Sequence, residues 1–165
     1  MSINVKARFK IMGSDRIVLE KCFDQEFCVN MLKSGFIDLK GNIDPLEAIH
    51  LLALGRISID DRTGWEEALR LIDRFNVGLS LFLVYHDLRK RGRRVKLGLR
   101  PNTLVLNMGS RRVEVLVLEE GKLMTLSDLA EWSKSCIASG YEPVVAIVDR
   151  YGVITYYEAR VTSEI

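Results

Sequence analysis

The densest chemistry-bearing stretch of the sequence is Arg89-Lys90-Arg91-Gly92-Arg93-Arg94-Val95-Lys96, extended by Arg100, in which seven of twelve positions are Lys or Arg. Such a cluster can neutralise several phosphates of a nucleic acid. It can equally be the solvated end of a helix, where the helix dipole favours cations. Tyr85 and Pro101 nearby do not make an aromatic stacking platform. Glu120-Gly121-Lys122 has the E-x-K form of metal-dependent nucleases, which need a second acidic residue to hold a divalent ion. No Asp stands between Arg93 and Leu118 to supply it, and Gly121 reads as a hairpin turn. Cys136 and His86 are the residue types of a nucleophile and its base, but both fall on or beside apolar helical faces, which favours burial. Phosphate-binding glycine loops and G-x-S-x-G elbows are missing from the sequence. The residues alone therefore suggest neither a metal site nor a cofactor.

The elements that would position these groups must come from 165 residues, enough for one large or two small domains. Hydrophobic residues make up 48%, so a core can be buried, and the net charge of +2 means that any nucleic-acid role rests on local clustering. Three cysteines, Cys22, Cys28 and Cys136, with no CxxC pair, indicate neither a disulfide framework nor a zinc site, and read as buried thiols. The N-terminal MSINVKARFK lacks the apolar stretch of a signal peptide. The apolar runs around Val77–Tyr85 and Val113–Leu118 are too short to span a bilayer. The expectation is a cytoplasmic protein with no membrane partner.

In the first half, Val5–Met12 and Arg16–Leu19 suit paired strands around Gly13-Ser14-Asp15. Asp44 as N-cap, Pro45 at the first helical position and Glu47 in the first turn predict a helix that Gly55 closes. Ile57–Asp60 is extended, and Trp65, Ala68, Leu69 and Ile72 give a second helix its apolar face. Asn76-Val77-Gly78 interrupts the pattern before a third helix that runs to about Arg91. A small N-terminal α/β domain over residues 1–76 and a second domain over 77–165 are expected. In the second, Arg93–Leu97, Thr103–Leu106 and Val113–Leu118 read as strands. A helix follows, starting at Ser127 and capped by Thr125 or Ser127. Pro143–Val148 reads as a strand buried on both faces, and Val153–Val161 as a last strand. The fold class is α/β (α+β), with a mixed sheet in the C-terminal half.

Tyr85-His86-Asp87-Leu88-Arg89-Lys90-Arg91-Gly92-Arg93-Arg94-Val95-Lys96-Leu97-Gly98-Leu99 resembles the segment that opens the C-terminal domain of archaeal tRNA-splicing endonucleases. Ala146-Ile147-Val148-Asp149-Arg150-Tyr151-Gly152-Val153-Ile154-Thr155-Tyr156-Tyr157 resembles that family's closing strand–turn–strand, paired tyrosines included. Thr125–Leu129 resembles the start of the helix before it, and Ile43–Ala48 with Leu51–Gly55 a helix of the family's small N-terminal domain. The resemblance spans nearly the whole chain and implies a restriction-endonuclease-like mixed-sheet C-terminal domain.

Catalytic chains of that family carry a tyrosine, a histidine and a lysine and need no metal. The 2′-hydroxyl attacks its own phosphate and leaves a cyclic phosphate. At the best-matching positions this sequence has Asn107 for the tyrosine, Ser110 for the histidine, and Tyr141-Glu142, with Glu142 foremost, for the lysine. An amide is no phenolic acid, a serine has no pKa near neutrality, and a glutamate would repel the anionic transition state. The resemblance thus implies a non-catalytic structural subunit, two of which join two catalytic chains to cut precursor tRNA at a bulge–helix–bulge. It also implies a docking loop, Asp149-Arg150-Tyr151-Gly152, less acidic here than is usual because of Arg150 and Val153. The closing strand, with Val153, Ile154 and Tyr156, would pair sheets between subunits, covering an edge that is otherwise an aggregation risk. Arg160 and Lys134 stand near the family's base-gripping positions, and Arg89, Arg93 and Arg94 are expected on the RNA backbone. Two other readings remain: a stand-alone RNA-binding module built on Arg89–Lys96, and a metal-dependent nuclease on a related fold.

Overall fold

A computed structural model describes residues 4–160; the head of the MSINVKARFK segment and Val161, the expected last residue of the closing strand, lie outside the described residues. The chain divides into two compact units, Met1–Val77 and Gly78–Ile165. Both are mixed α+β, and no helix among the described residues is long and apolar enough to cross a membrane.

In the first unit, β1 (Ala7–Met12) and β2 (Arg16–Cys22) form an antiparallel hairpin. β3 (Asn42–Ile43) joins the β2 edge, and β4 (Ile57–Ile59) lies parallel to β1. Helix α1 (Gln25–Lys33) follows β2, α2 (Pro45–Ala53) follows β3 and α3 (Trp65–Arg74) follows β4. Phe9, Ile17, Leu46, Ile49, Leu52, Ile57 and Ile59 are fully buried and make the core. The α2 start follows from its capping residues: Asp44 Oδ1 accepts from the amides of Leu46 and Glu47 at 2.9 and 3.4 Å, and Pro45 has no amide hydrogen to orphan.

Two features depart from expectation. Helix α1 has no counterpart among the elements expected between Leu19 and Asp44. It is short and weakly amphipathic, but Asp24 caps it, accepting from Phe27 N at 3.0 Å, and Met31 is its buried anchor. The cysteines are also not all buried thiols: Cys22 and Cys28 form a disulfide. Cys22 ends β2 and Cys28 lies early in α1, so the chain reversal at Asp24 brings their Cα atoms to 6.5 Å, within bridging range. Strand and helix between them supply the turn that a CxxC spacing would supply locally. Cys136 alone is a buried free thiol.

In the second unit, α4 (Leu79–Lys90) leads into a five-stranded sheet: β5 (Val95–Leu97), β6 (Thr103–Met108), β7 (Arg111–Glu119), β8 (Glu142–Val148) and β9 (Ile154–Glu158), in that spatial order. Only β7 and β8 are parallel, and α5 (Leu126–Ala138) is their crossover. The turn at Gly121 therefore opens the path to α5 and is not part of a hairpin. β9 stops at Glu158, although Ala159 N still donates to Pro143 O at 3.0 Å.

The two faces of this sheet are covered by different helices. Leu116 and Val145 pack against Trp132 and Cys136 of α5. On the other face the Tyr156 hydroxyl donates to Asp87 of α4 at 2.7 Å. The entry to β6 is tight: a Cβ on Gly98 would stand 2.1 Å from Thr103 Oγ1, so only glycine fits.

Candidate functional site

The positions matched to a tyrosine, a histidine and a lysine all lie at one end of the second sheet. Asn107 is next to last in β6, Ser110 sits in the β6–β7 turn, and Glu142 begins β8. Met108 pairs with Arg111, so Gly109 and Ser110 form a two-residue hairpin loop. Gly109 takes the positive φ of 67° that such a tight turn needs at its first position.

Registered partners share a face of a sheet, and neighbours along a strand alternate. Asn107 pairs with Arg112, two residues from Glu114, and so lies on the α5 face with Arg112. Glu142 pairs with Val113 and so lies on the opposite, α4 face. The fold thus brings the three matched positions to one sheet end but turns Asn107 and Glu142 to opposite faces. The residue of β8's approach that shares Asn107's face is Tyr141.

Each face has its own arginine. On the α4 face Arg111 makes a bidentate pair with Glu142, its Nε standing 2.9 Å from both carboxylate oxygens, and Glu158 stands 4.0 Å away. The Arg111 hydrogen bonds hold the Glu142 carboxyl below its ordinary pKa. On the α5 face the Arg112 guanidinium lies 4.3 Å from the centre of the Tyr141 ring and donates to its hydroxyl at 2.5 Å. An open cleft of about 310 Å³ lies there, lined by Arg94, Lys96, Val105, Asn107, Arg112 and Tyr141. Lys96, Arg112 and Tyr141 were missed from the sequence as a group. The Arg111-Arg112 pair beside a two-residue turn was the signal, since one arginine must face each way.

The basic segment is divided in the same manner. Arg89 donates to Arg93 O at 2.9 Å and stays the turn after α4. Arg91 pairs with Asp87 at 2.8 Å. Arg100 is not part of a phosphate-facing row: it pairs with the buried Glu114 at 2.6 Å and donates to Ser135 at 2.7 Å. Trp132 Nε1 donates to the other Glu114 oxygen at 3.0 Å, so this network fastens α5 to the sheet. Arg93, Arg94 and Lys96 are exposed. The Ser133 hydroxyl donates to Ala159 O at 2.8 Å, which sets the end of β9 beside α5. Arg160 and Lys134, which follow those two residues, are both exposed, and Arg160 pairs with Glu158 at 3.1 Å.

The loop read as a docking loop is internally braced: Asp149 Oδ1 accepts from the amides of Tyr151 and Val153 at 2.8 and 2.9 Å, and Gly152 adopts φ 80°. Arg150 stacks 4.8 Å from the Tyr151 ring centre, and Tyr151 and Val153 are 77% and 60% exposed. Ile154 is half-buried. Tyr156 is turned inward to Asp87, and burial pushes its hydroxyl pKa well up; Tyr157 is the tyrosine left exposed.

The other candidate groups are quiet. Burial pushes the Cys136 thiol up to about 11, which leaves almost no thiolate at neutral pH. Burial lowers the His86 pKa, which favours the neutral imidazole. Lys122 pairs with Glu119 at 2.7 Å, and Glu120 accepts from Arg150 N at 3.4 Å.

Comparison with known proteins agrees with this layout. Residues 79–156 match the family described as tRNA intron endonuclease, catalytic C-terminal domain. Residues 5–75 match the tRNA-intron endonuclease SEN2-like, N-terminal domain. An EndA-like protein of Methanopyrus kandleri is 34% identical over 120 residues, covering 68% of this chain and 72% of that protein. With both halves matched in the family's order and a relative aligned over most of its length, the chain belongs to the tRNA-intron endonuclease family.

Proposed function

We propose that this chain is a structural, non-catalytic subunit of a cytoplasmic tRNA-splicing endonuclease. It joins a catalytic chain, two of each, to recognise and cut bulge–helix–bulge introns in precursor tRNA. The observation that carries this reading is the sheet end itself. An amide, a serine hydroxyl and a carboxylate tied to Arg111 stand where a phenol, an imidazole and an ammonium would be required. The Tyr141 phenol does reach that end, but its oxygen accepts from Arg112, and neither Ser110 nor Asn107 can serve as its acid–base partner.

The braced Asp149–Val153 loop with exposed Tyr151 and Val153 suits docking into a neighbour, and the outer edge of β9 suits pairing with another strand. Arg160, Lys134, Arg93 and Arg94 are exposed cations that can meet RNA, with Arg89 bracing the turn that presents two of them.

The test is cleavage of an intron-containing precursor tRNA in a metal chelator. The expected result is no cutting by this chain alone and cutting when a catalytic chain is added. Metal-free cutting by the isolated chain overturns the reading. Magnesium-dependent cutting by it alone would make it a metal nuclease, and tight RNA binding with no assembly would make it a stand-alone RNA-binding module.

A further inference from the structure

The cleft on the α5 face is built for an anion. Among the described residues its charged lining is Arg94, Lys96 and Arg112, with no carboxylate. Arg111 and Arg112 are chain neighbours, yet among the described residues Arg111 faces two carboxylates and Arg112 none. Tyr141 holds the Arg112 guanidinium by its ring and its hydroxyl, so the plane is oriented while most of the five donors remain unspent. Lys96 has no ion-pair partner among the described residues. Like charges gathered at one cleft raise its potential and favour a counter-ion there. Asn107 adds a neutral amide that can donate to an oxyanion without repelling it.

We propose that this cleft binds a phosphodiester of the RNA strand and holds it without cutting it. The ligand is a backbone phosphate rather than a free nucleotide. The cleft is open to solvent, its lining offers several cations and one already-stacked aromatic ring, and exposed Arg93 extends the same charge along the approach from α4. Asn107 then has a positive role: the position where a catalytic residue is absent becomes a hydrogen-bond donor to the phosphate. The inference rests on the reading above that the chain handles precursor tRNA.

The experiment uses the full isolated chain and a bulged RNA duplex whose 2′-hydroxyls are deoxy at the bulges, so that the nucleophile of cleavage is removed. Asn107→Asp, an exposed near-isosteric change, places a negative charge in the cleft and is expected to weaken binding about tenfold, the scale on which one phosphate contact acts. Lys96→Gln and Arg112→Gln are each expected to lower the slope of log K against log salt by about 0.7–0.9. Lys122→Gln, an exposed lysine paired with Glu119 elsewhere on the unit, is expected to leave both unchanged. Lys96→Arg is expected to retain binding. Wild-type affinity in Asn107→Asp overturns the proposal, as does an equal loss in Lys122→Gln or a wild-type chain that does not bind this RNA. These outcomes are independent of partner assembly and cleavage, which test the subunit reading. Should Arg112→Gln disturb folding, the Asn107→Asp result decides.

Discussion

At the end of the C-terminal sheet, the face under α4 and the face under α5 receive adjacent arginines and use them in opposite ways. Arg111 is neutralised by Glu142 and Glu158, and that face is closed by ion pairs and by Tyr156 on Asp87. Arg112 meets Tyr141 and no carboxylate among the described residues, and beside it Lys96 of β5 faces an open cleft. A two-residue turn and the pleat are enough to send the same residue type to two chemical environments. Asn107 and Glu142 fall on opposite sides of that divide. Deeper in the sheet the α5 face reverses the pattern: the buried anion Glu114 is satisfied by Arg100 and Trp132.

The comparison is broken most strongly at Glu114. Glu114→Ala leaves the Trp132 indole without its acceptor and Arg100 without its carboxylate partner beneath α5. It should cost about 3 kcal/mol or more, by the scale for removing one partner of a buried pair. Chemical denaturation followed by Trp132 fluorescence checks it; a change near zero would mean that α5 is held by apolar packing alone. On the α4 face, Tyr156→Phe removes one hydrogen bond to Asp87 and should cost about 1 kcal/mol in the same assay.

The ion pair of that face is smaller still and depends on pH. The Glu142 carboxyl is depressed below its ordinary value of 4.5 in the folded chain, so its contribution to stability is present above that value. It is lost as the pH falls through the lower folded pKa. The stability difference between the parent chain and Glu142→Gln should therefore be seen at neutral pH and shrink towards zero in acid. A difference that grows in acid would reverse the assignment. The smallest effect is expected at Cys136: with its thiol at about 11 and buried, a thiol reagent at neutral pH should leave it unlabelled until denaturant opens the unit.

Legibility from sequence tracked how local the cause was. The α2 start was readable because Asp44, Pro45 and Glu47 act within one turn. The β6 and β7 runs were readable as Thr103–Leu106 and Val113–Leu118, and Gly109 takes the positive φ of the turn between them. Helix α1 was not read, because its apolar face is thin and the one clear signal, Asp24 three residues before the bonded Phe27 amide, lies between two strand-like runs. The Cys22–Cys28 bridge escaped because it depends on the chain reversing between a strand and a helix, which spacing alone does not disclose. In the basic segment every charge looked alike. Asp87, Glu114 and the Arg93 carbonyl engage Arg91, Arg100 and Arg89, a distinction that residue identity did not disclose.

The sequence by itself determined the mixed α+β class and the family resemblance, because residue identity and local propensity carry that information. The tertiary structure decided which face each residue occupies and which cation has an acid within reach. Those depend on strand register and on pairs such as Arg111 with Glu142, 31 positions apart, which come together only when β7 and β8 align in parallel through α5.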